Sequence, residues 1–426
     1  MKNENVIKNQ IWSLMKKLFP IHRTLINDGF DNSLKIIEDE LELDIKCYKS
    51  GQKVWDWIIP NSWNVNEAYI EDKSGKRLVD FKNSNLHLSA YSEAFSGMIS
   101  HEELMEHINY LPEQPTAIPY NFLYYEDGWS FNISYDSLKN FKEKEYKVHI
   151  DVDEKPGELK IAECYLPGQN DDEILFSTYL CHPSMANDNL SGVVTGVQLF
   201  KYLSKLKNRK YSYRLLIMPE TIGAVTYLSN HMDKIEKIIG GFVLYSCGDS
   251  SEITYKKSYS GDSYIDQVAK YACEHYKENY DIIDYFPGGS DERQFNAPGV
   301  RLPFGAIMRT PAGKFKEYHT SKDDLAVVDK ESLFDTYKFL TKIVDLFEMN
   351  QVYKNNYKGE PFFKKHNITY PTQQEGLDVS EAYNVKILAS EIDGNNSLLD
   401  ISNKWKISME QLNKASKKLL DAGLIC

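Results

Sequence analysis

One stretch constrains this chain more than any other. Ile174 to Leu180 is a nearly continuous apolar run, and Cys181-His182-Pro-Ser-Met-Ala-Asn-Asp188-Asn-Leu-Ser-Gly192 follows it. Such a run, bounded by a turn, reads as a strand buried on both faces. From Leu190, apolar residues recur at Val193, Val194, Val197, Phe200 and Leu203, which is helical spacing. Asn187 or Asp188 is placed to cap that helix. A strand, a loop and a helix would bring His182 and Asp188 together at the carboxyl edge of a sheet, where open α/β sheets bind ligands. An imidazole and a carboxylate there make half of a divalent-metal site. Taken alone, the same pair also reads as a hydrogen-bonded core histidine and a helix cap.

Three later segments each place a fitting side chain at a similar strand-to-loop position. Arg214-Leu-Leu-Ile-Met-Pro-Glu220 ends an apolar run on a carboxylate, and Pro219 stops the strand. Phe286-Pro-Gly-Gly-Ser-Asp291-Glu-Arg293-Gln turns sharply at its glycines and then opens a helix at Asp291. Tyr318-His319-Thr-Ser-Lys-Asp-Asp324 is a polar loop after the apolar stretch 302–308. Together His182, Asp188, Glu220, Asp291 and His319 are the inventory for a metal-activated water with a carboxylate base.

The order His, Asp-Asn-x-Ser-Gly, Glu-x-x-Gly, Ser-Asp, Tyr-His-Thr resembles the zinc aminopeptidases of the M28 type. It is closest to a bacterial aminopeptidase-like group with an inserted β domain and a C-terminal winged helix. The resemblance covers roughly residues 130–350 plus an N-terminal helix, and implies an α/β fold with a mixed sheet flanked by helices. It implies His182, Asp188 and His319 as zinc ligands and Glu220 as general base. Asp291 would orient a ligand histidine or the substrate amine. Arg293 and Tyr318 are candidates for substrate contact or oxyanion stabilisation, Arg293 being equally readable as half of an ion pair. The chain departs from the co-catalytic peptidases at three places. Thr221 follows Glu220 where they carry a second Glu, Ser184 stands in their His-x-Asp phrase, and Ser246 and Cys247 occupy the end of a strand where they carry a ligand Asp. One zinc with a water in the fourth position is therefore expected rather than two ions. Cys247 reads as a thiolate ligand or, more simply, as a buried thiol. Members of that group are associated with cell-surface polysaccharide loci, which implies a peptide-like or modified amino-sugar substrate.

The 426 residues suit two or three domains. A β-rich module is expected over 41–129, between residues 1–40 and 130–350 of the core. It is marked by Ala68-Tyr-Ile-Glu, Arg77-Leu-Val-Asp-Phe and Trp129-Ser-Phe-Asn-Ile, and by the turns Asp72-Lys-Ser-Gly75 and Glu126-Asp-Gly128. Its Trp55, Trp57, Trp63 and Trp129 read first as core packing and second as a ligand platform. Residues 4–18 pattern as an amphipathic helix with Ile7, Ile11, Leu14, Met15 and Leu18 on one face. Asn350 to Gly376 reads as a polar linker. Beyond it, in a winged-helix-like domain over 360–426, three helices are expected: 382–392, one bearing Leu398, Ile401 and Trp405 on one face, and 408–420 with a Ser408/Gln411 capping box.

The net charge of −12 argues against a general nucleic-acid surface. So does the final segment from Glu375, with eight acidic residues, six lysines and no arginine. An interaction or dimerisation module, binding a protein partner or a second copy, is the better reading than a DNA reader. Six scattered cysteines without CxxC spacing, no long apolar run and no signal-like start point to a cytoplasmic protein without a membrane span. The function expected is a zinc-dependent aminopeptidase-like hydrolase. The alternative is a non-catalytic metal-containing binding or regulatory protein, for which Thr221 and Ser184 speak.

Overall fold

In a computed structural model that describes residues 2–368 and 379–426, the apolar run lies inside an eight-stranded mixed sheet. Its strands, in chain order, are β1 (Asp44–Lys49), β2 (Glu158–Leu166), β3 (Glu173–Tyr179), β4 (Ser212–Met218), β5 (Ile238–Leu244), β6 (Ile253–Lys256), β7 (Tyr280–Ile283) and β8 (Phe304–Met308). Their spatial order is β1-β2-β4-β3-β5-β8-β6-β7. The centre, β4-β3-β5-β8, is parallel throughout. β2 joins it antiparallel on one side and β6 on the other. Every residue of β3 is buried, as the unbroken apolar run requires of a parallel strand covered on both faces. β4 stops at Met218, immediately before Pro219, which has no N–H to extend the ladder.

Helices cover the sheet. α1 (Lys2–Leu18) buries Ile11, Leu14, Met15 and Leu18 and packs on α2 (Ser191–Leu203). Each such side chain contributes roughly 1.5–3 kcal/mol of transfer free energy. α3 (Ile222–His231) follows β4, and α4 (Tyr264–Tyr276) starts at a capping box formed by Ser263 and Asp266.

The start of α2 differs from expectation. Neither Asn187 nor Asp188 caps it. The Gly192 N–H donates to Asn189 Oδ1 (3.2 Å), while Asn187 accepts from the Gly248 N–H and donates to Asp249 Oδ2, both at 2.9 Å. Asp188 is thereby left to the site. Gly192 cannot be replaced here, because a Cβ would lie 2.3 Å from the Leu244 carbonyl oxygen.

The β-rich region forms a second, four-stranded antiparallel sheet in the order Arg77–Asp80, Ser62–Glu71, Glu145–Lys155, Phe95–Ser100. The Asp72–Gly75 turn closes as expected, with Asp72 Oδ1 accepting from the Ser74 and Lys76 N–H groups. Strand pairing crosses the boundaries drawn at 41 and 129. β1 belongs to the main sheet through β2, and Glu145–Lys155 sits between two strands of the second sheet. Of the four tryptophans, Trp63 and Trp129 are buried. Trp55 and Trp57 are exposed, which corrects the core reading for those two.

The chain divides into compact units at Met1–Leu340 and Thr341–Cys426. The second holds a helical module, Val379–Glu391, Leu398–Trp405 and Met409–Asp421, whose last helix begins at the expected Ser408/Gln411 capping box. Leu398 and Ile401 are buried, but Trp405 is exposed and its indole N–H donates to Glu391. Part of the expected linker is built into this unit, with Val352 bridging Ser397 and Asn355 bridging Ile425. Residues 369–376 of that linker lie outside the described residues. All six cysteines are free, and among the described residues no helix is long and apolar enough to cross a membrane.

Candidate metal centre

The carboxyl ends of β3, β4 and β8 converge on one group. His182 follows β3 by three residues, Asp188 lies in the loop before α2, and His319 lies in the loop after β8. Their ligand atoms all fall within 4.8 Å of one another. His319 Nε2 and Asp188 Oδ2, both buried atoms, approach each other to 3.1 Å and have no other hydrogen-bond partner. Buried polar atoms are rarely left so, and an oxygen and a nitrogen turned toward a common point suit a divalent ion that takes N and O donors.

Each member is held from behind. The Tyr179 hydroxyl donates to Asp188 Oδ1 at 2.5 Å. Asp323 Oδ1 and Oδ2 accept from the Asn187 and Asp188 N–H groups at 2.7 and 2.8 Å, tying the Asp188 loop to the His319 loop. Burial pushes the Asp323 carboxyl up to about 8, against the pull of those two donors. Arg23, wholly buried, donates to the carbonyls of Leu180 (2.9 Å) and His182 (2.7 Å). Burial lowers His182 to about 4, which keeps its imidazole neutral and able to ligate. Burial alone would raise Asp188, but His182, His319 and the Tyr179 hydroxyl outweigh it and hold it near 2.

Glu220 follows β4 by two residues, and its Oε2 lies 3.9 Å from His182 Nε2. Ser290 Oγ donates to its Oε1 at 2.8 Å. Burial, reinforced by Asp291 and Asp188, pushes the Glu220 carboxyl well above its ordinary value. Asp291 is buried too and rises to about 7 for the same first cause. It neither caps the short helix Glu292–Phe295 nor bonds to a histidine; its Oδ1 accepts from the Thr221 N–H at 2.7 Å, and its Oδ2 is unpartnered. The turn bearing Ser290 and Asp291 is fixed by a buried Lys256–Glu292 ion pair of 2.8 Å and by Gly289 at φ +98°, a conformation that favours glycine.

The residues that depart from the two-metal pattern are engaged elsewhere. Thr221 Oγ1 accepts from Arg293 at 2.5 Å. Cys247 Sγ faces the Tyr245 and Ile307 carbonyls at 3.5 Å, and burial raises its thiol to about 12, so it is a buried thiol and not a ligand. Ser184 accepts from Asn85. Arg293 forms no ion pair among the described residues, contrary to one of its two readings.

A cleft of about 380 Å³ opens over the group. His182, His319, Glu220, Thr221, Arg293 and Tyr318 line it, the Tyr318 ring stacking on His319 at 4.0 Å. Trp57, Phe122, Tyr124 and Tyr125 of the β-rich region complete it. Sequence reasoning did not single out Asp323, Tyr179, Ser290, Phe122, Tyr124 or Tyr125. The first three lie within the motif phrases or next to them; of the aromatic wall only Trp57 carried a signal, as the lesser, ligand-platform reading of the tryptophans.

A family model described as a domain of unknown function, DUF4910, matches residues 12–350. A relative from Clostridium acetobutylicum, described as a candidate polysaccharide biosynthesis protein with an aminopeptidase-like domain, is 38% identical over 427 residues, 100% of this chain and 98% of its own. The crystal structure of a candidate peptidase from C. acetobutylicum matches with a TM-score of 0.90 at 36% identity, covering 100% of this chain and 97% of that one. BSAP, a zinc aminopeptidase from Bacillus subtilis, matches at 0.58 with 15% identity over 81% and 94% of the two chains. An M28 peptidase precursor from Shewanella amazonensis matches at 0.53 with 13% identity over 81% and 97%. The last two share the fold.

Proposed function

The chain belongs to the DUF4910 family, and from that premise we propose that it is a zinc-dependent, aminopeptidase-like hydrolase of an amide bond, with one ion held by His182, Asp188 and His319. The observation that carries this reading is the pair of buried atoms Asp188 Oδ2 and His319 Nε2, without a hydrogen-bond partner beyond each other, beside His182 and the Glu220 carboxylate. Buried Asp188 and Asp291 and half-buried Glu220 crowd three carboxyl groups together, a charge arrangement that a divalent cation relieves. A zinc ion supplies a Lewis acid that makes water a nucleophile near neutral pH and polarises a carbonyl.

The chain's own residues do the rest. Glu220, steadied by Ser290, takes a proton from the attacking water and returns it to the leaving nitrogen. Tyr318 lies beside His319 at the cleft, where a hydroxyl could donate to a developing oxyanion. Asp291 is a positioning residue: it holds the Thr221 N–H and so sets the turn that carries Glu220. The likeness to a C. acetobutylicum relative described as a polysaccharide biosynthesis protein with an aminopeptidase-like domain supports a peptide-like or amino-sugar amide as substrate. The C-terminal module is read as a protein-interaction surface. Lys414 and Lys418 on its last helix both pair with Glu381, at 3.2 and 2.9 Å, which partly neutralises that basic stripe.

The test is metal analysis of the purified protein, with hydrolysis of a panel of aminoacyl amides and acylated amino sugars. Zinc bound at one equivalent with turnover of any panel member supports the reading. Zinc without turnover of anything favours the non-catalytic alternative, for which the replacement of an acid by Thr221 speaks.

A further inference from the structure

The cleft is poorly made for a free amino terminus. Among the described residues Glu220 is the one carboxylate in its lining, and the proposed chemistry needs it for the proton of water. Asp188 is turned to the metal group, and Asp291 lies fully buried behind Thr221. An ammonium would therefore find no free acid, and it would meet the Arg293 guanidinium instead, a repulsion that a partly dry site strengthens.

Arg293 is itself under-used. It lines the cleft, half-buried, and donates to two neutral oxygens, Thr221 Oγ1 (2.5 Å) and the Gly289 carbonyl (3.4 Å). Among the described residues it has no carboxylate within ion-pair distance. A guanidinium hydrogen-bonded only to neutral acceptors, and acting on Glu220 and Asp291 only at longer range, keeps its fork available, and that geometry matches a carboxylate. Trp57, Phe122 and Tyr125, which line the same cleft, are 38%, 44% and 53% exposed. Large aromatic surfaces left open around a polar site suit a flat or ring-bearing ligand.

We infer that the cleft takes an amide that carries a carboxylate and a ring-bearing apolar group, with no free ammonium: Arg293 binds the carboxylate and Trp57, Phe122 and Tyr125 cover the ring. This rests on the hydrolase reading above and narrows its substrate class. Hydrolysis then adds hydroxyl to the carbonyl carbon and a proton to nitrogen as the C–N bond breaks, and leaves the carboxylate unchanged.

The experiment is calorimetry on the full chain carrying Glu220→Gln, zinc-loaded and again metal-free, so that a carboxylate drawn to zinc is told apart from one held by Arg293. The probes are N-benzoylglycine, its neutral amide N-benzoylglycinamide, and phenylalaninamide, which has a ring and a free ammonium. N-benzoylglycine should bind roughly tenfold to a hundredfold more tightly than its amide, the range for hydrogen bonds to a charged group. Adding Arg293→Met should remove most of that preference, and Arg293→Lys should retain part of it, with zinc content and melting temperature unchanged. Trp57→Ala should weaken both benzoyl probes alike. Tighter binding of phenylalaninamide, an unchanged preference in Arg293→Met, or no binding of any probe would overturn the inference. Turnover by the Glu220-intact protein is measured separately. Its absence alongside an Arg293-dependent preference would remove the hydrolase reading and leave the ligand class standing.

Discussion

Two corners of the same cleft treat their polar groups in opposite ways. At the His182–Asp188–His319 corner, buried atoms that should have hydrogen-bond partners have none beyond each other, while the groups behind are tied down by Tyr179, Asp323 and Arg23. At the Thr221–Arg293 corner, the hydroxyl is taken by the guanidinium, and Cys247, fully buried outside the cleft lining, has its thiol against main-chain carbonyls. The first corner gathers ligand atoms on a tied-down frame; the second is finished as protein. A site meant for two ions would leave both corners open. The contrast therefore supports a single ion and moves the burden of substrate recognition to the second corner.

The severest test acts on the open corner. His182→Ala or His319→Ala should abolish stoichiometric zinc, because each removes one of three protein ligands from a site completed by water. If both variants keep a full equivalent through dialysis, the two corners do not differ in the way argued. Next in size is Glu220→Gln, which is nearly isosteric. It should keep zinc and fold but lower turnover by roughly two to four orders of magnitude, the range of a general base. Wild-type turnover on any confirmed substrate would exclude Glu220 as the base.

Much of the open corner was legible because its signals are local. A buried parallel strand needs an unbroken apolar run, so β3 and β4 could be read from Ile174–Leu180 and Leu215–Met218, and Pro219 fixed where the second stops. His182 and Glu220 then fall just past strand ends by chain geometry alone, whereas His319 lies in a loop well beyond β8 and is placed by that loop's fold. What depended on distant pairing was not legible. β1 and Glu145–Lys155 are strands in either sheet by sequence, and the partner that decides between them lies far along the chain. The expected cap at α2 lies one or two residues too early because Asn187, Asp188 and Asn189 are chemically able to cap alike. Only the pull of Asp249 and Tyr179 on the first two leaves Asn189 for Gly192. Trp57 reads as core by its size, but it sits on a short two-stranded hairpin in which both it and Ile58 are exposed.

A smaller effect should come from the support behind the open corner. Asp323→Asn keeps the shape but leaves one oxygen for two main-chain donors, and turns an N–H₂ toward the other. The Asp188 loop loses its anchor to the His319 loop. Groups that orient ligands from behind commonly cost tenfold to a hundredfold in metal affinity. Competition with a chelator should show a loss of about that size for Asp323→Asn, and no loss would mean that Asp188 is held by Tyr179 alone.

The smallest expected effect is the one most able to break the contrast. Thr221→Glu restores an acid at the position where two-metal peptidases carry a ligand. If the finished corner were a metal site lacking only that group, the variant would bind a second zinc. The surroundings argue otherwise. The new carboxylate would replace a hydroxyl that already accepts from Arg293, so a charge-assisted pair with that guanidinium is its nearest partner. The other candidate ligand, Cys247, would have to lose a proton from a thiol raised to about 12 and turn away from two carbonyls. Zinc content should therefore stay at one equivalent by metal analysis. The variant should instead lose the binding preference assigned to Arg293, because the guanidinium would be neutralised from within. Two equivalents of zinc in Thr221→Glu would show that a single side chain separates the two corners, and that the second is an interrupted metal site rather than a recognition surface.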